Sequence, residues 1–135
     1  MYKLLEHEAD VGITASGKTW EEAFSEGAAA MLSIMAEPSK VAAKEEIRIQ
    51  VNAGDKAALF VEFLNEILFI RDAKGLLLKK FDVTIKGNAL AGKAFGEKLD
   101  QKKHGTKIEV KAATYAGLKA WEEKGVKHVQ CVLDV

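Results

Sequence analysis

The residues best suited to chemistry lie at the two ends of the chain. Asp10 follows a short predicted strand, and Asp134 precedes Val135 and its terminal carboxylate. If the first and last strands are neighbours, these three anionic groups converge and repel one another unless a cation lies among them. Oxygen ligands of this kind suit Ca²⁺, Mg²⁺ or Mn²⁺. On spacing alone the simpler interpretation remains the default, in which Asp10 is a turn carboxylate and Asp134 a solvated strand end.

A lysine-rich stretch, Lys102-Lys103-His104-Gly105-Thr106-Lys107, with Lys111 beyond it, is the second candidate. Lysine binds phosphate as a point charge, so this stretch could contact RNA or an acidic partner. Tyr115 is the one aromatic residue close by in sequence, which gives no support for base stacking. A solvated hairpin is the alternative.

Several familiar catalytic motifs are missing from the sequence. It has no GxGxxG and no GxSxG pattern, which removes the Rossmann-type dinucleotide site and the serine-hydrolase elbow. His7-Glu8 opens like a zincin motif, but Val11 stands where the second His is needed. Cys131 is the only cysteine and can form neither an internal disulfide nor a cysteine-based zinc site.

The length of the chain indicates a single domain over residues 1–135. The chain has 20 Lys+Arg and 20 Asp+Glu, but residues 1–37 carry seven acidic side chains against two lysines. Residues 74–107 carry nine lysines against three acidic side chains, which suggests an acidic ion-binding end and a basic partner-facing end. Solvated strand faces are the plainer explanation. No apolar run is long enough to span a membrane and no signal-peptide pattern opens the chain, so a cytoplasmic location is expected.

Periodicity predicts two helices and about eight strands. One helix begins after the capping residue Thr19 and ends before Pro38, and the other begins after Asp55 and ends near Asp72. Alternating patterns predict strands at 2–5, 12–15, 47–51, 81–86, 90–95, 107–111, 118–121 and 129–135. The helices do not alternate with single strands, which favours an α+β domain. We expect a mostly antiparallel or mixed sheet with both helices packed on one face.

Six blocks of sequence stand out along the chain: His7-Glu8-Ala9-Asp10-Val11-Gly12-Ile13, Glu21-Glu22-Ala23-Phe24, Leu64-Asn65-Glu66-Ile67-Leu68-Phe69, Gly96-Glu97-Lys98-Leu99-Asp100, Glu109-Val110-Lys111-Ala112-Ala113-Thr114-Tyr115 and Val132-Leu133-Asp134-Val135. In their order and spacing over residues 2–135 they resemble the archease family. Two positions depart from the family pattern. Glu8 stands where many members have Thr, and Ala116 stands where His is common.

The resemblance implies an accessory protein of tRNA splicing and not an enzyme. Archeases help the RtcB-type RNA ligase by promoting guanylylation of its active-site His, so that it turns over repeatedly. The GTP is used by the ligase, and tRNA is involved indirectly, with direct RNA contact left open. The family's metal ligands fall on Asp10, Asp134 and Val135.

We expect contacts to the ligase or RNA from His7, Lys98, His104 and Lys111. Two other functions stay open. One is a metal-dependent phosphohydrolase that uses Asp10, Asp134 and His7, and the other is a chaperone-like partner of a tRNA methyltransferase.

Overall fold

The structure is a computed structural model and describes residues 1–6 and 10–135. Within these residues the chain forms seven strands, three α-helices and a short 3-10 helix at Pro38–Lys40. The strands are β1 (Tyr2–Glu6), β2 (Asp10–Gly17), β3 (Glu45–Asn52), β4 (Leu76–Lys86), β5 (Ala89–Lys98), β6 (Ala112–Glu123) and β7 (Val126–Asp134). The helices are α1 (Trp20–Met35), α2 (Lys56–Lys74) and α3 (Gln101–His104).

Four strands form the first sheet, in the order β1-β2-β7-β6, and every neighbouring pair is antiparallel. The pairing of β2 with β7 runs without a shift from Asp10 opposite Asp134 to Gly17 opposite Lys127. Alternate residues face the core, because successive side chains of a strand point to opposite faces. Ile13, Val129, Cys131 and Leu133 are each fully buried on that inner face.

The second sheet has the order β3-β5-β4 and is also antiparallel. Its β4–β5 pairing shifts between Leu78 and Lys80, which is typical of a β-bulge. Gly96 lies beside this shift, where a Cβ atom would overlap the backbone of Leu77. A glycine is therefore required for β5 to pass this close to β4.

Both main helices begin at the predicted capping residues. The Thr19 side chain accepts a hydrogen bond from the Glu22 amide at 3.1 Å, and Asp55 Oδ1 accepts one from the Ala58 amide at 2.7 Å. Gly75 ends α2 in the left-handed conformation with φ 65°, which a glycine adopts without strain. Each cap satisfies backbone groups that the helix itself leaves unpaired.

The core lies where the two helices pack against strands of both sheets. Phe24 of α1 and Phe60 of α2 meet edge to face with ring centroids 5.2 Å apart, and Phe63 packs beside them. The Phe60 ring occupies the space that a side chain at position 27 would need. Gly27 is therefore the residue that lets α2 approach α1 closely.

The predicted α+β class is confirmed, with two main helices and antiparallel strands. The strands divide into two sheets where one was predicted, and each helix contacts both. The strand predicted at 107–111 was wrong. The amides of Lys107 and Ile108 donate to Met35 O and Ile34 O at the end of α1, so this segment covers a helix terminus and is not a strand; only its last residue, Lys111, bonds to β7, at Asp134 O. Within the described residues no helix is long and apolar enough to cross a membrane.

Candidate functional site

Asp10 and Asp134 lie directly opposite each other at one end of the first sheet. Asp10 begins β2, Asp134 ends β7, and they are partners in the register of these two strands. Side chains at directly opposite positions lie on the same face with Cβ atoms about 4.5–5.5 Å apart. Leu133 is buried in the core, so the alternation places the Asp134 carboxylate on the outer face. Both aspartates are half-buried.

Two carboxylates at opposite positions destabilise a strand pair through like-charge repulsion. Within residues 1–6 and 10–135, neither aspartate forms an ion pair with a Lys or Arg side chain. A hard divalent cation would offset this repulsion, and the donor set fits Ca²⁺, Mg²⁺ or Mn²⁺ better than zinc. The described part of the chain contains no group of three His, Cys, Asp or Glu side chains around one point. Further ligands would therefore include the Val135 carboxylate or water.

The segment 110–115 includes the first residues of β6. It bonds to α2 on one side and to β7 on the other. The Asn65 amide pairs with both backbone groups of Ala113: Nδ2 donates to Ala113 O at 3.0 Å, and Ala113 N donates to Oδ1 at 2.8 Å. Arg71 Nη1 donates to Val110 O at 2.7 Å. On the other side, Lys111 N donates to Asp134 O at 2.8 Å. These bonds hold Lys111 beside Asp134 with its side chain exposed.

Ala116, the position where the family often has His, lies in an irregular part of β6. The pairing with β7 shifts between Thr114 and Lys119, and Gly117 has φ 61°. Tyr115, just before it, is exposed and donates from its hydroxyl to Glu62 Oε1 at 2.8 Å, which raises the pKa of the phenol. Ala116 is itself exposed, so a His at this position would face solvent.

The other predicted contact residues occupy different environments. His7 and Glu8 lie outside the described residues. Lys98 ends β5, is exposed and donates from Nζ to Lys74 O at 3.3 Å. His104 ends α3 and is fully buried. A ring in that position touches a partner or RNA only if α3 first moves away, so the surface role expected of His104 is not supported by its placement.

His104 instead binds Glu97, a residue that the sequence analysis did not single out. The Asp100 amide donates to His104 Nδ1 at 3.0 Å, so the hydrogen of the neutral ring is on Nε2, which donates to Glu97 Oε1 at 2.7 Å. Lys103 Nζ and the Ala42 amide also donate to the Glu97 carboxylate, at 2.9 Å and 3.1 Å. The His104 bond, followed by the Lys103 and Ala42 bonds, lowers the Glu97 pKa to about 2.

A sequence signal for this arrangement existed in the N-cap pattern before α3. The Asp100 side chain accepts from the amides of Lys102 and Lys103, as expected of an aspartate that caps a helix. The cap fixes the turn that returns His104 to Glu97.

The thiol of Cys131, the only cysteine in the sequence, is not a reactive group, because burial raises its pKa to about 12.

The model of the Archease protein family matches residues 2–135. A "Protein archease" of Pyrococcus abyssi is 43% identical over 118 residues, covering 84% of this chain and 83% of the relative. One of Sulfolobus acidocaldarius is 35% identical over 136 residues, covering 99% and 98%.

Solved structures agree with these sequence matches. The solution structure of protein 1598 of Methanobacterium thermoautotrophicum is 32% identical with a TM-score of 0.84, covering 99% of this chain and 98% of that protein. A crystal structure from Thermotoga maritima, described as an archease and possible chaperone, has a TM-score of 0.66 at 23% identity and supports the fold alone; it covers 100% of this chain and 98% of that protein. By its family match and by relatives that align over most of both chains, the chain belongs to the archease family.

Proposed function

We propose that this protein is a cytoplasmic accessory protein of tRNA splicing that activates an RtcB-type RNA ligase. In this role it promotes guanylylation of the ligase, so that the ligase completes many rounds instead of one. Family membership supports the proposal. The observation that carries it is the pairing of Asp10 with Asp134, which brings two carboxylates from opposite ends of the sequence to one end of the first sheet.

Asp10, Asp134 and the Val135 carboxylate would hold a divalent cation at this end. A cation bound there supplies positive charge for phosphate oxygens of the nucleotide that the ligase uses. The two strands hold the carboxylates at a fixed separation, because β2 and β7 pair without a shift along their whole shared length. The backbone of Lys111 lies next to Asp134, because its amide donates to Asp134 O, and the Lys111 side chain is exposed. The GTP itself binds to the ligase. The stretch from Gly12 to Thr19 has the spacing GxxxxGK[ST], but its residues up to Gly17 lie in β2 and form no phosphate-binding loop.

The test is a ligation assay with a cognate RtcB-type ligase under single-turnover and multiple-turnover conditions. Wild-type protein is expected to stimulate multiple turnover and ligase guanylylation, whereas Asp10→Asn and Asp134→Asn retain side-chain shape but lose stimulation. Asp82→Asn is the matched control, because Asp82 is an exposed strand aspartate of the second sheet. Equal stimulation by all three variants excludes the carboxylate pair as the active feature. A wild-type protein that does not stimulate its cognate ligase excludes the accessory function.

The phosphohydrolase alternative uses the same carboxylate pair and is separated by turnover without ligase. The accessory function predicts no phosphate release from nucleotides or phosphomonoesters with Mg²⁺ or Mn²⁺. The chaperone-like alternative requires apolar surface for clients, but most of the apolar side of α2 is buried in the core. Suppression of aggregation of an unrelated protein would favour that alternative.

A further inference from the structure

Seven lysines lie around α3, in a region that also includes the end of α1 and the 107–111 segment. We call them the lysine cluster: Lys40, Lys44, Lys74, Lys98, Lys102, Lys103 and Lys107. All seven are exposed, and they come from five separate parts of the chain. The fold therefore creates a concentration of positive charge that the linear sequence shows only in part.

Ion pairs with Glu97 and Glu37 place three of these lysines around α3. Lys44 Nζ and Lys103 Nζ both approach Glu97 Oε2, at 3.7 Å and 2.9 Å. Lys107 Nζ pairs with Glu37 Oε1 at 3.1 Å, and Glu37 N donates to His104 O at 2.9 Å.

The remaining members extend the cluster from the turn at Gly105 to the end of α2. Lys40 Nζ is 3.7 Å from the position of a Cβ at Gly105. Lys98 Nζ reaches the end of α2 at Lys74 O, at 3.3 Å.

The carboxylates within this region leave a positive excess. Five belong to it or border it: Glu97, which is buried beneath the lysines, Glu37, Asp100, which caps α3, and Asp72 and Glu109, which line one pocket with Lys107. Seven lysines thus face five carboxylates, although the whole chain has a formal net charge of zero. Lys40, Lys74 and Lys102 form no side-chain hydrogen bond or ion pair with the described residues. Their ammonium groups are free to bind an external anion.

We propose that the lysine cluster binds the phosphate backbone of RNA directly and without regard to sequence. Protein–protein interface centres are depleted in lysine, whereas spaced lysine charges suit a repeating chain of phosphates. Residues 97–109 contain no Phe, Tyr or Trp, so base stacking is not expected to add sequence preference. This inference goes beyond the proposed function, because it requires neither the ligase nor a cation.

One edge of the cluster lies close to the aspartate pair. Lys107 is four positions before Lys111, whose amide donates to Asp134 O, and four extended residues span at most about 14 Å. RNA held on the cluster would therefore pass near the candidate cation site. Charge on one surface would position the RNA, and the aspartates would act beside it.

The experiment measures binding of a fluorescein-labelled RNA hairpin with a single-stranded tail by fluorescence anisotropy over a salt series. EDTA is present and the ligase is absent, so the result does not depend on the proposed function. The test variant replaces Lys40, Lys74 and Lys102 by Gln, and the control replaces Lys18, Lys86 and Lys119, three exposed lysines on other surfaces. Both variants lose the same charge. Circular dichroism and thermal unfolding check that each is folded.

We expect the cluster variant to bind at least about tenfold more weakly at low salt and to reduce the slope of log K against log[salt] by about 2–3. The control variant should bind nearly as well as the wild type. Equal weakening in both variants would show that only overall charge matters and overturn the proposal. Failure of the wild type to bind RNA, or tighter binding of labelled poly-glutamate than of RNA, overturns it as well, the latter in favour of an acidic protein partner.

Discussion

Asp10 and Asp134 are strand partners at one end of the first sheet, although they come from opposite ends of the sequence. The pairing of β2 with β7 fixes their separation before any ligand arrives. Because like charges at such positions repel, the protein without a cation carries local destabilisation at this end. A cation bound there is therefore expected to stabilise the folded state.

The first prediction concerns thermal stability in divalent cations. Ca²⁺, Mg²⁺ or Mn²⁺ at about 100 times its dissociation constant should raise the free energy of unfolding by about 2.7 kcal/mol. Differential scanning calorimetry with and without EDTA measures this shift. Asp10→Asn and Asp134→Asn should unfold at the same temperature in both conditions, whereas Asp82→Asn should respond like the wild type. If none of the three ions raises the unfolding temperature of the wild type, the proposed cation site is contradicted.

The second prediction concerns the pH dependence set by Glu97. Its pKa is about 2 in the folded protein against an ordinary value of 4.5, chiefly because His104 donates to it. A carboxylate with a lowered folded-state pKa stabilises the protein above pH 4.5, and this stabilisation is lost as pH falls towards about 2. The difference in stability between wild type and Glu97→Gln should thus be largest near neutrality and shrink in acid. Urea unfolding across this pH range measures it, and a difference that grows in acid would contradict the assignment.

The third prediction separates structural support from surface contact at His104. His104→Ala removes a fully buried ring and deprives Glu97 of a hydrogen bond, so the free energy of unfolding should fall by about 2–5 kcal/mol. His128→Ala, a change to a half-buried His of β7, should cost less. Ligase stimulation per folded molecule should survive in His104→Ala at low temperature. Loss of stimulation in a fully folded His104→Ala would restore the contact role.

The fourth prediction concerns the approach of the two helices. Ala is a better helix former than Gly, yet a Cβ at Gly27 meets the Phe60 ring. Gly27→Ala should therefore destabilise the protein by about 1–3 kcal/mol as an overpacked core. Phe60→Leu removes the ring that a Cβ at position 27 would meet. The double variant should therefore lose less stability than the two single changes added together. Chemical denaturation of all four proteins measures the coupling, and simple additivity would argue against direct contact.

Local signals were sufficient for the two main helices and for most strands. Thr19 and Asp55 cap helices because their side-chain oxygens satisfy backbone amides close in sequence, which spacing alone reveals. The strand prediction for 107–111 was wrong because the partners of this segment are distant in sequence. Ile108 and Val110 alternate with polar residues as a strand would, but only Val110 is buried, and the amides of 107 and 108 pair with the end of α1. Which backbone an alternating segment pairs with is a tertiary property that its own residues do not specify.

The same limit applied to the candidate site. Asp10 and Asp134 could be singled out by residue type, but their convergence required that β2 and β7 be neighbours, and strand order does not follow from periodicity. The Glu97–His104 pair was missed because α3 is a single turn, too short to show a helical period. Burial of His104 depends on the turn that Asp100 caps, and not on the lysines around it.

The last prediction tests how α2 supports the candidate site. The Asn65 side-chain amide bonds to both backbone groups of Ala113, and this fixes the segment that carries Lys111 beside Asp134. Asn65→Ala leaves a buried amide and carbonyl without partners and should lower the free energy of unfolding by about 1–3 kcal/mol. Hydrogen exchange at the Ala113 amide should accelerate more than exchange in β4 and β5, because the loosening is local. Asn65→Asp keeps the acceptor for that amide and should protect it better than Asn65→Ala does. If exchange at Ala113 is unchanged in Asn65→Ala, Asn65 has no part in positioning Lys111, and the segment is held by β7 and by the bond from Arg71 to Val110 O.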